Sequence, residues 1–314
     1  MPSADAALVL TLVREHLTLA ELATRRDPSD PATADALVTA IGHDVETLEL
    51  LHALTVADAA AVGGQAWNAW RARLIGDLVA ATRARLTGAP APFEPAVVVP
   101  AELAELGELA GEGVRCVVTR ETSSCRVSVA APDRLGLFAD VAGLLAVAGH
   151  GVRSAALRTA DGRAVQEWHV DADGGSVPDA AALVRRLARI TEGDRTLLAR
   201  LDRTRDVSPA PSGGGQAGMP LGRPVSLPAV VEIVPDASRV ATVVRVRGTD
   251  RRGLLHDIGR AVASCGLGIR SAHVETDAGQ TLDTFYVTTL EGRPLNLELT
   301  DHLLAAVRRA ADPA

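Results

Sequence analysis

No lysine occurs in this 314-residue sequence; all 32 basic residues are arginine, set against 39 acidic ones for a formal charge of −7. The absence accompanies heavy use of alanine, valine, leucine and glycine. It reads as compositional bias of the genome, not as selection for the bidentate phosphate contacts that arginine makes well. With a net negative chain and no clustered positive stripe, a surface that neutralises nucleic-acid phosphates is excluded. Cysteine is scarce as well. Cys116, Cys125 and Cys265 are too few and too scattered for a disulfide framework or a zinc site, so a reducing, cytoplasmic setting is expected. No apolar run reaches the ~18 residues needed to cross a bilayer. The opening MPSADAALVLTLVREH lacks the basic n-region of a secretory leader. A soluble chain with no membrane partner is the expectation. No G-x-S-x-G elbow, Walker loop or dinucleotide fingerprint is present, and GGGQAG at 213–218 follows no strand and opens no helix, so it reads as linker.

What the sequence does have is a duplication. Residues 133–155, DRLGLFADVAGLLAVAGHGVRSA, and residues 250–272, DRRGLLHDIGRAVASCGLGIRSA, align without a gap at an offset of 117, with 11 of 23 positions identical. Such a repeat implies two copies of one module holding equivalent surfaces, which suggests paired ligand sites or a pseudo-two-fold interface. The copies differ in detail: Leu135, Phe138 and Ala139 become Arg252, Leu255 and His256, so two sites built on them should differ in affinity, and one can be structural only.

Length and punctuation set the organisation, since a chain this long ordinarily makes about two or three domains. Up to residue 88 apolar residues recur at helical spacing, as in Leu8, Leu12, Leu19 and Leu22, with breaks at 27–31, Gly42 and Gly63-Gly64 that predict four helices. The Pro-rich stretch GAPAPFEPAVVVP at 88–100 cannot continue a helix and marks a connector, residues 89–112. Residues 113–197 and 229–314 form the two modules, and 198–228 a Gly/Pro/Ser-rich tether. Each module reads as a β-hairpin, a helix after the Asp-Arg loop, two more strands and a closing helix. That order predicts an α+β chain, an all-α segment followed by two ferredoxin-like domains, each a four-stranded antiparallel sheet with two helices. Trp168, Phe285 and Phe138 are assigned to the sheet-to-helix core. His43, His52 and His150 are scattered without ligand spacing. The single His-Asp pair, His256-Asp257, is assigned as a surface pair because adjacent helical residues do not face each other.

The segment D-R-x-G-L-[FL]-x-D-[VI], with its helix and returning Arg-Ser-Ala strand, resembles ACT domains, small modules that bind amino acids and regulate the proteins carrying them. The resemblance implies a ligand site at Asp133, Arg134, Leu135, Gly136, Leu137 and Phe138, and a second at Asp250, Arg251, Arg252, Gly253, Leu254 and Leu255. The loop chemistry supports a carboxylate ligand: glycine lets the backbone approach closely, and the following helix N-terminus offers unpaired amides with a favourable dipole. Asp133 and Asp250 can accept from an ammonium group or cap their own helices. Arg134 and Arg251 can meet a carboxylate or make solvated ion pairs with Asp140 and Asp257.

The front segment, with LTVAD ending at Asp58 and Trp67-Asn68-Ala69-Trp70-Arg71 in place of W-x-x-W-K, is similar to the last half of the HD-type hydrolase domain in the bifunctional uridylyltransferase/uridylyl-removing enzymes of nitrogen control. Those enzymes modify the PII signal protein and end in two ACT domains, the order seen here. The resemblance implies glutamine as the ligand, allosteric regulation and PII as a partner through the parent enzyme. It implies Mg2+ or another divalent metal for that enzyme, and no cofactor for this chain. It matches Asp58 and His16 to vestigial metal ligands. The family's N-terminal nucleotidyltransferase half and its HD dyad are missing, so this chain alone is expected to be inactive as transferase or hydrolase. A residual HD-type hydrolase and a stand-alone ACT-repeat interaction protein are the alternatives.

Overall fold

The computed structural model describes residues 4–62, 69–90, 113–121, 124–160, 162–172, 176–204, 228–277 and 279–312. The Gly63-Gly64 break, the residues Trp67 and Asn68, and most of both expected connectors lie outside them.

The front is a helical layer made of α1 (Ala4–Glu15), α2 (Thr18–Arg25), α3 (Pro31–Ala40), α4 (Val45–Val62) and α5 (Ala69–Thr87). Leu19, Leu37, Ile41, Leu48, Leu51 and Leu78 close a core of their own. The break at 27–31 works as the sequence suggests: Asp30 accepts from the Ala32 N–H at 2.9 Å with Pro31 in the first turn. Among the described residues of the front, five helices stand where the periodicity predicted four. The extra break falls at His16 and Leu17 and carries neither glycine nor proline. There the His16 ring donates to the Val13 carbonyl at 2.8 Å and the Thr18 hydroxyl to Glu15 at 2.7 Å, local side-chain bonds that compete with the helical ladder.

The rear is one eight-stranded antiparallel sheet in the order β1-β2-β4-β3-β7-β8-β6-β5. The first copy contributes β1 (Arg115–Arg120), β2 (Ser124–Pro132), α6 (Leu137–Val147), β3 (Val152–Ala160), β4 (Arg163–Asp171) and α7 (Ala180–Thr191). A short helix α8 (Ala199–Thr204) follows. The second copy contributes β5 (Val230–Ile233), β6 (Thr242–Thr249), α9 (Leu254–Ser264), β7 (Gly268–Asp277), β8 (Gln280–Thr288) and α10 (Leu297–Ala311). Each copy is a ferredoxin-like unit whose outer strand, β1 or β5, is supplied by a hairpin at its start.

The two sheets fuse through β3 and β7, which pair antiparallel at Ser154 with His273, Ala155 with Ala272, and Ala156 with Ser271. Ala155 and Ala272 are the same position in the two copies, so the local axis of a pseudo-two-fold passes between them. Arg153 and Arg270, again equivalent, sit where each strand shifts register, a bulge that ends regular pairing. The helices repeat the symmetry, since His256 donates to the carbonyl of its counterpart Ala139 at 2.6 Å. This corrects the expectation for His256-Asp257: both are buried, at 1% and 5% exposure, in the α6/α9 seam. Close packing accompanies that burial: a side-chain carbon at Gly143 would meet His256 and Leu198, and one at Gly259 would meet Phe138 and Ala139. Phe138, Trp168 and Phe285 do fill the core between sheet and helices, with Phe138 4.9 Å from Trp168 and 6.5 Å edge-on to Phe285.

The helical front docks on the sheet's other face. Tyr286 there accepts the Asp27 N–H at 2.8 Å, Ser271 donates to the Asp27 carboxylate at 3.0 Å, and Arg73 pairs with Glu167 at 2.6 Å. Among the described residues no helix is long and apolar enough to cross a membrane.

Candidate ligand site

Where β3 and β7 part beyond their three paired residues, a cavity of about 630 Å3 opens. All six residues of the first loop, Asp133 to Phe138, line it, together with α9, the start of β7, and residues of the helical front. The loop is held open from below. The Asp133 N–H donates to the Gly162 carbonyl at 2.9 Å, leaving the Asp133 side chain exposed. Gly136 takes φ 80° as the residue before α6 and gives that helix no side-chain cap; the Leu137 N–H turns back to the Arg134 carbonyl at 3.3 Å, and the start of the helix, Leu137 and Phe138, lines the cavity. Arg134 is drawn to Asp140 at 2.6 Å, and Arg195 reaches the same carboxylate. Asp140 is fully buried, so the ion pair expected in solvent is sequestered on the carboxylate side.

The second loop has the same backbone and a different surrounding. Asp250 donates its N–H to Gly279 at 2.9 Å, Gly253 takes φ 83°, and Arg251 pairs with Asp257 at 2.5 Å and donates to the Ala310 carbonyl at 2.6 Å. None of Asp250 to Leu255 lines the cavity. Leu254 is buried and Leu255 packs against the core, while Arg252 points across the seam toward Gly149. Leu201 of α8 covers the glycine: a side-chain carbon at Gly253 would lie 3.5 Å from it. Residues 198–204, at the start of the expected tether, thus carry two core side chains, Leu198 and Leu201. The rest of that tether, 205–227, lies outside the described residues. Beneath the covered loop Asp283 is wholly buried. Burial pushes its carboxyl up to about 7, against a hydrogen bond from Thr281 and with help from the nearby Asp250. Burial also raises Asp250 itself.

Two buried side chains that face the cavity were not legible as site residues. Gln166 is 1% exposed; its Oε1 accepts the Trp168 indole N–H at 3.1 Å and its Nε2 has no protein acceptor. His273 lines the opposite, sheet-reverse side, and neither ring nitrogen has a partner. Burial holds its imidazole below the usual range, against the pull of Asp27. On the same side Glu167 is held down at about 2: burial opposes its charge, and hydrogen bonding to His169 and the Arg73 guanidinium outweigh that. The one sequence-level signal for Gln166 is that its repeat counterpart is an acid, Asp283.

Asp58 and His16, matched by resemblance to metal ligands, are both exposed, one late in α4 and the other between α1 and α2. Among the described residues no group of three or more His, Cys, Asp or Glu could hold a metal ion. Two exposed side chains do not make a metal centre, so these residues do not fit one.

No protein-family model matches the chain. Curated relatives do. The bifunctional uridylyltransferase/uridylyl-removing enzyme of Streptomyces coelicolor is 38% identical over 338 residues, covering 93% of this chain and 39% of that protein. The enzyme of the same name from Mycobacterium tuberculosis is 32% identical over 314 residues, covering 98% and 38%. That from Phenylobacterium zucineum is 32% identical, covering 96% and 37%. A crystal structure of an unknown protein from Galdieria sulphuraria aligns over 60% of this chain at 19% identity with a TM-score of 0.18, too low to support any argument. The chain spans under two fifths of the curated relatives' length, and over that span it belongs to the family of bifunctional uridylyltransferase/uridylyl-removing enzymes.

Proposed function

We propose that this chain is the amino-acid-sensing regulatory region of a PII-modifying uridylyltransferase/uridylyl-removing enzyme, with glutamine as its ligand, and that the paired modules are ACT domains reporting nitrogen status. The cavity carries the reading. Its volume of about 630 Å3 suits a small molecule, and its mouth is the uncapped start of α6, where amides and helix dipole favour a carboxylate. Asp133, exposed at that mouth, is placed to accept from an ammonium group.

The walls supply the route from ligand to regulation. Arg73 and Asp77 of α5, and Asp27 and Ser29 of the turn before α3, line the same space as the loop and α9. An occupant therefore bears on both modules and on the helical front. It shifts their arrangement by the difference in its affinity for two states. PII enters as the substrate of the longer enzyme that such a region would control.

Calorimetric titration of the purified chain with glutamine, against glutamate and other amino acids, tests the reading. Saturable binding of glutamine with a rise in Tm that follows ligand concentration is expected. No binding at millimolar glutamine refutes it.

A further inference from the structure

Going inward from the first loop along the helix-facing side of β4, the residues are Ala164, Gln166 and Trp168, because alternate strand residues share a face. Gln166 therefore forms the inner floor of the cavity. Its orientation is fixed by chemistry: the indole N–H of Trp168 is a donor only, so the atom it meets at 3.1 Å must be the carboxamide oxygen. The NH2 group is the end left buried and without a protein acceptor, on a side chain that lines the cavity.

The second copy shows that this donor is particular to the first. The equivalents of Ala164 and Gln166 are Thr281 and Asp283, and there the hydroxyl and the acid bond to each other. In the first copy the hydroxyl is gone, an amide replaces the acid, and the amide nitrogen is unanswered. The remaining helix-side walls near the floor, Leu157, Val262 and Leu267, are apolar. Among the described residues that line the cavity, Arg134 is tied to Asp140, and the charge of Arg270 acts on Asp27 and Asp30.

We propose that Gln166 is the selectivity residue of the cavity: its NH2 donates to a neutral carbonyl oxygen at the end of an amino acid's side chain, so a carboxamide ligand is taken over its carboxylate analogue. The inference rests on the amino-acid-binding reading above. A carboxylate side chain would have to shed water at a floor that offers one neutral donor and no counter-charge, which is strongly unfavourable. An aliphatic side chain of equal length would leave the donor unanswered.

The test is a cycle of two proteins and three ligands on the whole chain. Wild type and Gln166→Leu are titrated with glutamine, glutamate and norleucine. Wild type should bind glutamine at least roughly tenfold more tightly than norleucine, the value of one neutral hydrogen bond in a dry site, and glutamate more weakly still. Gln166→Leu should lose roughly tenfold for glutamine and hold or gain affinity for norleucine. Equal loss for both ligands, or none for glutamine, overturns the role of Gln166 and leaves the sensing reading intact. Should Gln166→Leu fail to fold, because Trp168 loses its acceptor, the wild-type comparison decides alone: equal affinity for glutamine and norleucine overturns the inference. Absence of all amino-acid binding by wild type overturns both readings.

Discussion

Two glycines in helices should respond differently to alanine, one gaining stability and the other not, and the contrast measures how tightly the repeat seam is packed. Gly76 lies in α5, and a side-chain carbon there would meet nothing within 4 Å. Gly259 lies in α9, and the same carbon would sit 2.7 Å from Phe138 Cδ1 and 3.1 Å from both Cα and Cβ of Ala139. Alanine is favoured over glycine in a helix interior by about 1 kcal/mol at either site. At Gly259 that gain meets an overpacking cost of about 1–3 kcal/mol. The Phe138 ring cannot swing aside, being held between Trp168 and Phe285, and the Ala139 contact is with backbone. Gly76→Ala should thus stabilise by up to about 1 kcal/mol, while Gly259→Ala should be neutral to destabilising by about 2 kcal/mol. The two variants should differ in Tm by about 2–4 °C for each kcal/mol between them. Urea unfolding followed by far-UV circular dichroism, with calorimetry alongside, reads both. Equal stabilisation by the two substitutions refutes the argument for a closed seam.

Asp283 gives a pH signature. Its folded-state carboxyl stands at about 7, above the ordinary ~3.9 of an unfolded Asp. The folded state therefore binds more protons between those values, and this group's contribution falls as pH rises from about 4 to 7, by at most about 1.4 kcal/mol per pH unit. Asp283→Asn should flatten that slope in denaturant midpoints taken from pH 5 to 8; an unchanged slope counts against the assignment. Glu167 has the opposite sign. Held at about 2, it contributes stability that is complete above its unfolded value near 4.3 and is lost as pH falls toward 2. Arg73→Met should remove much of that contribution, so the variant is less stable than wild type above about pH 4 and converges with it as pH falls toward 2; a gap that does not narrow on acidification counts against the pairing. Leu201→Ala should cost about 2–4 kcal/mol, in the range for a buried leucine, and raise the proteolytic sensitivity of the α8 segment; a surface-like loss under 0.5 kcal/mol would show that α8 does not seal the second loop.

The fold was legible because the repeat carried it. Two identical sets of punctuation, an Asp-Arg-x-Gly-Leu loop and an Arg-Ser-Ala strand, gave the element order of both modules, and alternating valines gave the strands. What the residues did not reveal was how the copies meet. No local pattern announces that Ala155 and Ala272 face each other, because pairing of two β-strands far apart in sequence depends on long-range geometry. The burial of His256 followed from that missing contact: a polar residue on one helix reads as exposed until a facing helix is known. The extra break at His16 was missed because side-chain bonds, not glycine or proline, interrupt the helix there. The two loops were legible as equivalent motifs, and only packing separated them, with one on a cavity and the other under Leu201. Gln166 and His273 carried no signal of their own, since a polar residue in an alternating strand is ordinarily a solvated one.

The strand pairing at Ala155 and Ala272 has a further consequence, one of ancestry and concentration. A single module of this kind carries the same edge in every copy, and that edge pairs with itself. An unlinked forerunner would therefore form a homodimer, populated only when the protein is abundant enough. Joining two copies in one polypeptide removes that dependence, because the partner is always present at the effective concentration set by its connection. It also breaks the requirement that both halves mutate together. One loop can then acquire a leucine cover and a buried acid while the other keeps an open cavity, a division of labour that a strictly symmetric pair of identical chains cannot reach.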